Sequence, residues 1–188
     1  MRLDASRGRT AAELVNALDE KELAEIIYRY GEERYSRRIA AAIVRARGRG
    51  RIERTKDLAG IVASAIPAPA RRTRRGVHPA TRTFLALRIA VNDELANLEK
   101  LLAAVPEVLA VGGRAAIVSF HSLEDRLVKT YFKDLCTDCV CPPEQPVCTC
   151  NHVQKARFIQ KKALTPTEDE IRANPRSRSA RLRCIEKL

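Results

Sequence analysis

Gly112-Gly-Arg-Ala-Ala-Ile-Val-Ser-Phe-His-Ser-Leu-Glu-Asp-Arg126 is the stretch on which the fold turns. A Gly-Gly turn leads into a short, continuous apolar run at residues 114–120, the pattern of a buried parallel strand. Ser122-Leu-Glu-Asp125 then has the form of a helix cap, and the amphipathic pattern behind it predicts a helix to about Leu135. Helix, turn, buried strand, helix is the order of an α/β protein. In an open α/β sheet, ligands bind beyond the carboxyl ends of the strands. That is where the sequence puts Ser119, His121, Ser122, Glu124, Asp125 and Arg126, at a helix N-terminus whose dipole favours an anionic group. The same spacing equally describes Ser122 and Glu124 as caps, Asp125 and Arg126 as solvated and His121 as a turn residue. Both readings stay open.

Upstream, residues 10–66 carry four helical patterns. Thr10-Ala-Ala-Glu13 is a capping box ahead of Leu14, Val15 and Leu18. Residues 19–30 repeat the signal, with Gly31 placed to stop the helix. Residues 32–46 and 55–66 follow, the last ending before Pro67. Residues 67–77, Pro-Ala-Pro-Ala-Arg-Arg-Thr-Arg-Arg-Gly-Val, predict a basic linker, and the domain boundary is drawn at 75/76. His78-Pro79 with Thr81 and Arg82 reads as a substrate-facing helix start or as an ordinary cap beside a surface arginine. Residues 81–104 predict one long amphipathic helix. Downstream, residues 156–162 and 179–186 predict strands, with a short capped helix beginning near Thr165 between them. One buried strand and two later ones fall short of the five or so a doubly wound sheet needs, so the α/β part is incomplete on its own terms.

The 188 residues are 45% hydrophobic and 31% charged, which supports a core and excludes disorder throughout. A formal net charge of +12 points to a polyanionic partner, nucleic acid first. Three arginine-rich runs carry it: Arg45, Arg47, Arg49, Arg51 and Arg54; then Arg71, Arg72, Arg74 and Arg75; then Arg172, Arg176, Arg178, Arg181 and Arg183. Arginine suits bidentate phosphate contact, and with no Trp and 4% aromatics a backbone-reading mode fits better than base stacking. The glycines form no dinucleotide-binding or P-loop fingerprint. No apolar run approaches the roughly 18–20 residues of a membrane span, and the first residues lack a secretory apolar stretch. The expectation is a cytoplasmic protein with no membrane partner; a homo-oligomer is compatible with the sequence.

Five of the six cysteines lie between Cys136 and Cys150. Cys139, Cys141, Cys148 and Cys150 flank a proline-rich turn and could supply four thiolates to a tetrahedral zinc ion, with Cys136 and His152 as substitutes. Free thiols or a redox-dependent disulfide are the alternatives.

Taken together, HPATRTFLALRIAVNDEL (78–95), GGRAAIVSFHSLEDRLVK (112–129), the cysteine loop (136–152) and NPRSRSARLRCIE (174–186) resemble the C-terminal part of the RsmH (MraW) family of S-adenosylmethionine-dependent methyltransferases. The resemblance extends from MRLDASRGRTAAELVN (1–16) and YGEERYSRRIAAAIV (30–44) to the end. It implies an α/β fold: the C-terminal half of a Rossmann-like methyltransferase domain (76–188) plus an all-helical insertion that helps recognise substrate (1–75). It implies methyl transfer to the exocyclic N4 of a cytidine in small-subunit ribosomal RNA, with that RNA or the 30S subunit as partner. The family's Gly-Gly-His-Ser cofactor loop and its acid for the cofactor ribose belong upstream of the point matching Met1, so the chain looks N-terminally truncated, with no cofactor-binding residue assigned within it. His78, Thr81, Arg82, Ser119, His121, Ser122, Glu124 and Asp125 are substrate-pocket candidates by motif position, and Arg71, Arg72, Arg74, Arg75, Arg176 and Arg178 are RNA-binding candidates. The catalytic residue is unassigned. The competing reading is a non-catalytic basic RNA-binding or ribosome-associated module, and a third is a zinc-stabilised nucleic-acid-binding protein.

Overall fold

A computed structural model of the chain describes residues 1–4, 6, 8–72, 77–142, 145 and 147–188, with the side chains of residues 71 and 72 left out of the description. These residues form two compact units, Met1–Glu94 and Leu95–Leu188.

The first unit is helical: α1 (Ala11–Ala17), α2 (Glu20–Gly31), α3 (Ser36–Arg47), α4 (Thr55–Ala65), α5 (Ala68–Arg72) and α6 (Thr81–Asn92). Capping boxes start α1 (Thr10 with Glu13) and α2 (Asp19 with Glu22), each satisfying two backbone N–H groups that the helix leaves without partners. Leu23, Ile27, Ile39, Ile43, Val62, Ile66 and Leu87 meet in one core. Polar groups pin the connections. Asn16 donates to Ile52 O at 2.8 Å and accepts from Ile52 N at 3.0 Å, fixing the 48–54 loop on α1. Arg47 donates to Val15 O and Leu18 O, at 2.9 and 2.6 Å, closing the C-terminus of α1.

Three expectations change in this unit. Gly31 is the last residue of α2, but the left-handed cap is Glu32, with φ 48°. Gly31 is small because α6 crosses it: a Cβ there would lie 2.7 Å from Arg82 O and 3.3 Å from Ala86 Cβ. The proline-rich stretch is not all linker, since Ala68–Arg72 is helical and Ala70 is buried in the core; Pro69 falls in the first turn, where its missing N–H costs nothing. The long helix predicted over 81–104 is two, α6 and α7 (Glu94–Val108), with Asp93 between them in the left-handed region at φ 49°. Because α6 packs on α2 and contributes Leu87 to the helical core, the compact units divide at Glu94/Leu95 instead of at the compositional boundary of 75/76.

The second unit holds α7, β1 (Arg114–Ser119), α8 (Ser122–Leu135), β2 (Ala156–Phe158), α9 (Glu168–Ala173), a 3-10 turn (Pro175–Ser179) and β3 (Arg181–Lys187). The sheet order is β1-β3-β2, and both pairings are antiparallel, with Ala116 opposite Cys184 and Arg157 opposite Glu186. The buried parallel strand expected at 114–120 is therefore an antiparallel edge strand among the described residues. Only alternate residues are sheltered: Ala115 and Ile117 join the core while Val118 on the other face is 50% exposed. That core joins Leu102 and Val105 of α7, Val128, Phe132 and Leu135 of α8, and Ile185 of β3. Strand β2 is shorter than the predicted 156–162, and Ser179, predicted to open the last strand, ends the 3-10 turn.

Helix α8 is tied to the sheet by Asp125. Its carboxylate, 7% exposed, accepts from Arg183 Nε at 2.7 Å and Nη2 at 3.2 Å and from Arg181 Nη1 at 2.9 Å. The Arg183 bonds above all, opposed by burial and reinforced by Arg181, hold its carboxyl below the ordinary carboxylate range. Glu186 on β3 bridges in the same way to Arg114 of β1 and Arg157 of β2.

Two outcomes follow from this packing. Gly31→Ala should destabilise the helical unit by about 1–3 kcal/mol, because the added methyl meets the backbone of α6; an unchanged denaturation midpoint would refute the close crossing. Asp125→Asn should cost about 3 kcal/mol at neutral pH, since it removes the charge that two guanidinium groups face. The contribution is complete above the unfolded carboxyl value near 3.8 and is lost as the pH falls through the depressed folded value. Urea midpoints of the two proteins should differ at neutral pH and converge in acid; a constant gap would show that the clamp is not ionic.

Candidate functional site

Residues 119–125 form the turn from β1 into α8, and the structure gives each of its polar candidates a place and partners. His121, not Ser122, is the N-cap of α8. Its Nδ1 accepts from Glu124 N at 3.3 Å, while Glu124 Oε2 accepts from Phe120 N at 2.9 Å and His121 N at 3.3 Å. The imidazole and carboxylate also face one another, with Nε2 and Oε1 at 3.3 Å. Partial burial pushes the Glu124 carboxyl up, but the bonds from His121 and Phe120 outweigh it and the carboxyl stays below its ordinary range. Ser119 is buried and its hydroxyl donates to Arg181 O at 3.3 Å. Asp125, read at the sequence level as solvated or pocket-lining, is the buried anchor for Arg181 and Arg183. The turn is thus prepaid in hydrogen bonds: Glu124 and Asp125 are ionised and positioned by the fold itself.

His78, Thr81 and Arg82 belong to the first unit and Ser119–Asp125 candidates to the second. His78 is exposed and accepts from Ala80 N through Nδ1 at 3.1 Å, which makes it a turn-forming residue at the entry of α6. Thr81 is exposed. Arg82 donates to Glu32 O at 2.9 Å, placing its cation at the C-terminus of α2.

The RNA candidates divide similarly. Arg74 and Arg75 lie outside the described residues, as do the side chains of Arg71 and Arg72. Arg176 and Arg178 stand exposed on the 3-10 turn. Asn174 caps it, accepting from Arg176 N at 3.2 Å, and Pro175 and the bonds of Ser177 to Asn174 O fix its shape. The nearby acids Glu168 and Asp169 face Arg172, each at 3.6 Å, so among the described residues neither Arg176 nor Arg178 has an ion-pair partner. One further basic surface lies outside the three arginine-rich runs: a groove on the helical unit lined by Lys21, Glu25, Tyr28, Arg34, Tyr35, Arg37 and Arg38, with the Arg34 guanidinium 4.7 Å from the centre of the Tyr35 ring. The run Arg34-Tyr35-Ser36-Arg37-Arg38 carried that signal, hidden inside a helix-forming pattern.

Between α8 and β2, the sulfurs of Cys139, Cys141, Cys148 and Cys150 all lie within 4.8 Å of one another. Cys136 is apart from them, packed on the core with its thiol pushed up to about 11 by burial, and His152 Nε2 lies 3.0 Å from Asp134 O. Backbone N–H groups of His152 and Val140 reach the Cys150 sulfur and pull its thiol down to about 6.

The model of the MraW methylase family matches residues 1–188. The chain is 51% identical to the ribosomal RNA small subunit methyltransferase H of Heliobacterium modesticaldum, over its whole length and 59% of that protein. It is 52% identical to the proteins of the same name from Syntrophobacter fumaroxidans and Pelobacter propionicus, covering 58% and 59% of them. The chain thus spans just under 60% of the length of these relatives, and on the family match it belongs to the MraW methylase family.

Proposed function

We propose that the chain is the RNA-facing portion of an enzyme that transfers a methyl group from S-adenosylmethionine to the exocyclic N4 of a cytidine in small-subunit ribosomal RNA. Its partner is that RNA or the 30S subunit, met in the cytoplasm. The full-length family match supports the reaction class. The observation that carries the RNA role is the pair Arg176 and Arg178, two exposed guanidinium groups on a rigid, capped turn with no acid among the described residues to neutralise them. Other arginines are taken up by the fold: Arg47 and Arg82 close helices, and Arg181 and Arg183 hold Asp125. Cations left exposed on a fixed turn are suited to phosphates. The basic groove at Arg34, Arg37 and Arg38 extends the same chemistry to the helical unit, which serves substrate recognition in this reading.

The residues described do not by themselves fit S-adenosylmethionine. Gly112 and Gly113, the pair nearest a strand end, are spent on the turn into β1: Gly112 N donates to Lys187 O at 2.9 Å and Gly113 N to Ala110 O at 2.8 Å. Asp125 is committed to two arginines, and Glu124 to the cap of α8. Their contribution is to fix the geometry of the β1–α8 turn. This favours, for residues 1–188 taken alone, the second reading of a basic RNA-binding module.

Two measurements test the assignment. Calorimetric titration of the chain with S-adenosylmethionine should show no micromolar binding; heat of binding in that range would put a cofactor site within residues 1–188. Changing Arg176 and Arg178 together to Ala should weaken binding of a small-subunit rRNA fragment and flatten the slope of log K against log salt by about 1.4, or 0.7 per lost phosphate contact. Thermal stability should be unchanged. A constant slope in the folded double variant would remove the phosphate role.

A further inference from the structure

The described residues between Leu135 and Ala156 form no core of their own. No described residue from 136 to 155 is buried, and Val140, Val147 and Val153 are 54%, 69% and 67% exposed. A connection this long, with no helix or strand among its described residues, needs something else to order it. What converges there is sulfur. Cys148 Sγ lies 3.5 Å from Cys139 Sγ, 3.9 Å from Cys141 Sγ and 3.5 Å from Cys150 Sγ, and Cys139 and Cys150 are 3.8 Å apart. None of the four is in a disulfide.

These separations are informative. A tetrahedron of thiolates around zinc, with Zn–S near 2.3 Å, has S···S edges of about 3.8 Å. All six pairs fall within 4.8 Å, so the four sulfurs already outline the shell of one ion. A polynuclear iron–sulfur cluster would place its cysteines on different irons and hold them farther apart. Cys141 N donates to Cys139 Sγ at 3.4 Å, a donor of the kind that a negatively charged tetrathiolate site requires. Cys136 and His152, the other possible ligands, are turned to the core and to the backbone of α8.

We propose that Cys139, Cys141, Cys148 and Cys150 bind one zinc ion that closes this loop between α8 and β2. The role is structural: four thiolates leave no open position for substrate or water. The segment from 134 to 154 also contains no Lys or Arg in a chain of net charge +12, so it is not a phosphate-binding face. The ion does the work of a core, tying residues 139–141 to residues 148–150. His152 and Lys155 then hand the chain back to α8, with Lys155 N donating to Leu135 O at 2.9 Å.

The test uses the full chain purified under reducing conditions without a metal-affinity step. Elemental analysis should find about one zinc per chain. Cys148→Ser, which removes the sulfur nearest the other three, should abolish it, while Cys184→Ser and Cys136→Ser should keep it. Should Cys148→Ser fail to fold, cobalt titration of the demetallated wild-type chain supplies the answer: strong thiolate-to-cobalt absorption with the visible bands of a tetrahedral site, displaced by zinc. Chelation should expose the 137–155 segment to proteases while the helical unit resists. Wild-type protein holding less than about 0.2 zinc per chain and giving no tetrahedral cobalt spectrum, or iron with acid-labile sulfide, would overturn the site.

Discussion

One carboxylate orders the second unit. Asp125 sits in the first turn of α8, and Arg181 and Arg183 reach it from β3, the strand that pairs with both others. A buried charge is costly unless fully paired, and Asp125 is met by three hydrogen bonds from two guanidinium groups. The helix therefore cannot slide along the sheet without exposing an unneutralised charge to the core. The N-terminus of α8 is doubly fixed, since the His121–Glu124 box holds the preceding turn. A site built at this strand end has its backbone set by the fold before any ligand arrives.

The same demand sorts the arginines. A guanidinium near a helix C-terminus or a buried carboxylate is drawn in, because the free carbonyls and the carboxylate need donors. Arg47, Arg82, Arg181 and Arg183 are recruited this way. Those that no carbonyl or acid claims stay outside, and Arg176 and Arg178 stand clear on a turn that Asn174 and Pro175 stiffen. The large positive charge of the chain is thus partly mortar and partly surface, a distinction invisible to a charge count.

The cysteine loop shows a different solution to the same problem of order. It has few apolar side chains and buries none of those described, so hydrophobic burial cannot fold it. The spacing C-x-C on each side of the turn instead brings four sulfurs within 4.8 Å of one another.

The sequence alone determined what depends on near neighbours. Thr10 with Glu13 announces the start of α1, Pro67 the end of α4, and the cysteine spacing a cluster, because each signal acts within a few residues. The family was legible in motifs quoted from end to end. Tertiary structure decided what depends on distant partners. The periodic pattern runs unbroken through Asp93, yet the helix ends there: Asn92 accepts from Leu3 N at 2.7 Å and donates to Met1 O at 3.0 Å, contacts about ninety residues apart that no local pattern encodes. An apolar run at 114–119 is compatible with a parallel or an antiparallel neighbour, and only the arrival of β3 made it antiparallel. Gly31 read as a stop signal, but the crossing of α6 makes it a contact. Asp125 read as solvated or as part of a pocket, because the arginines that bury it lie more than fifty residues downstream.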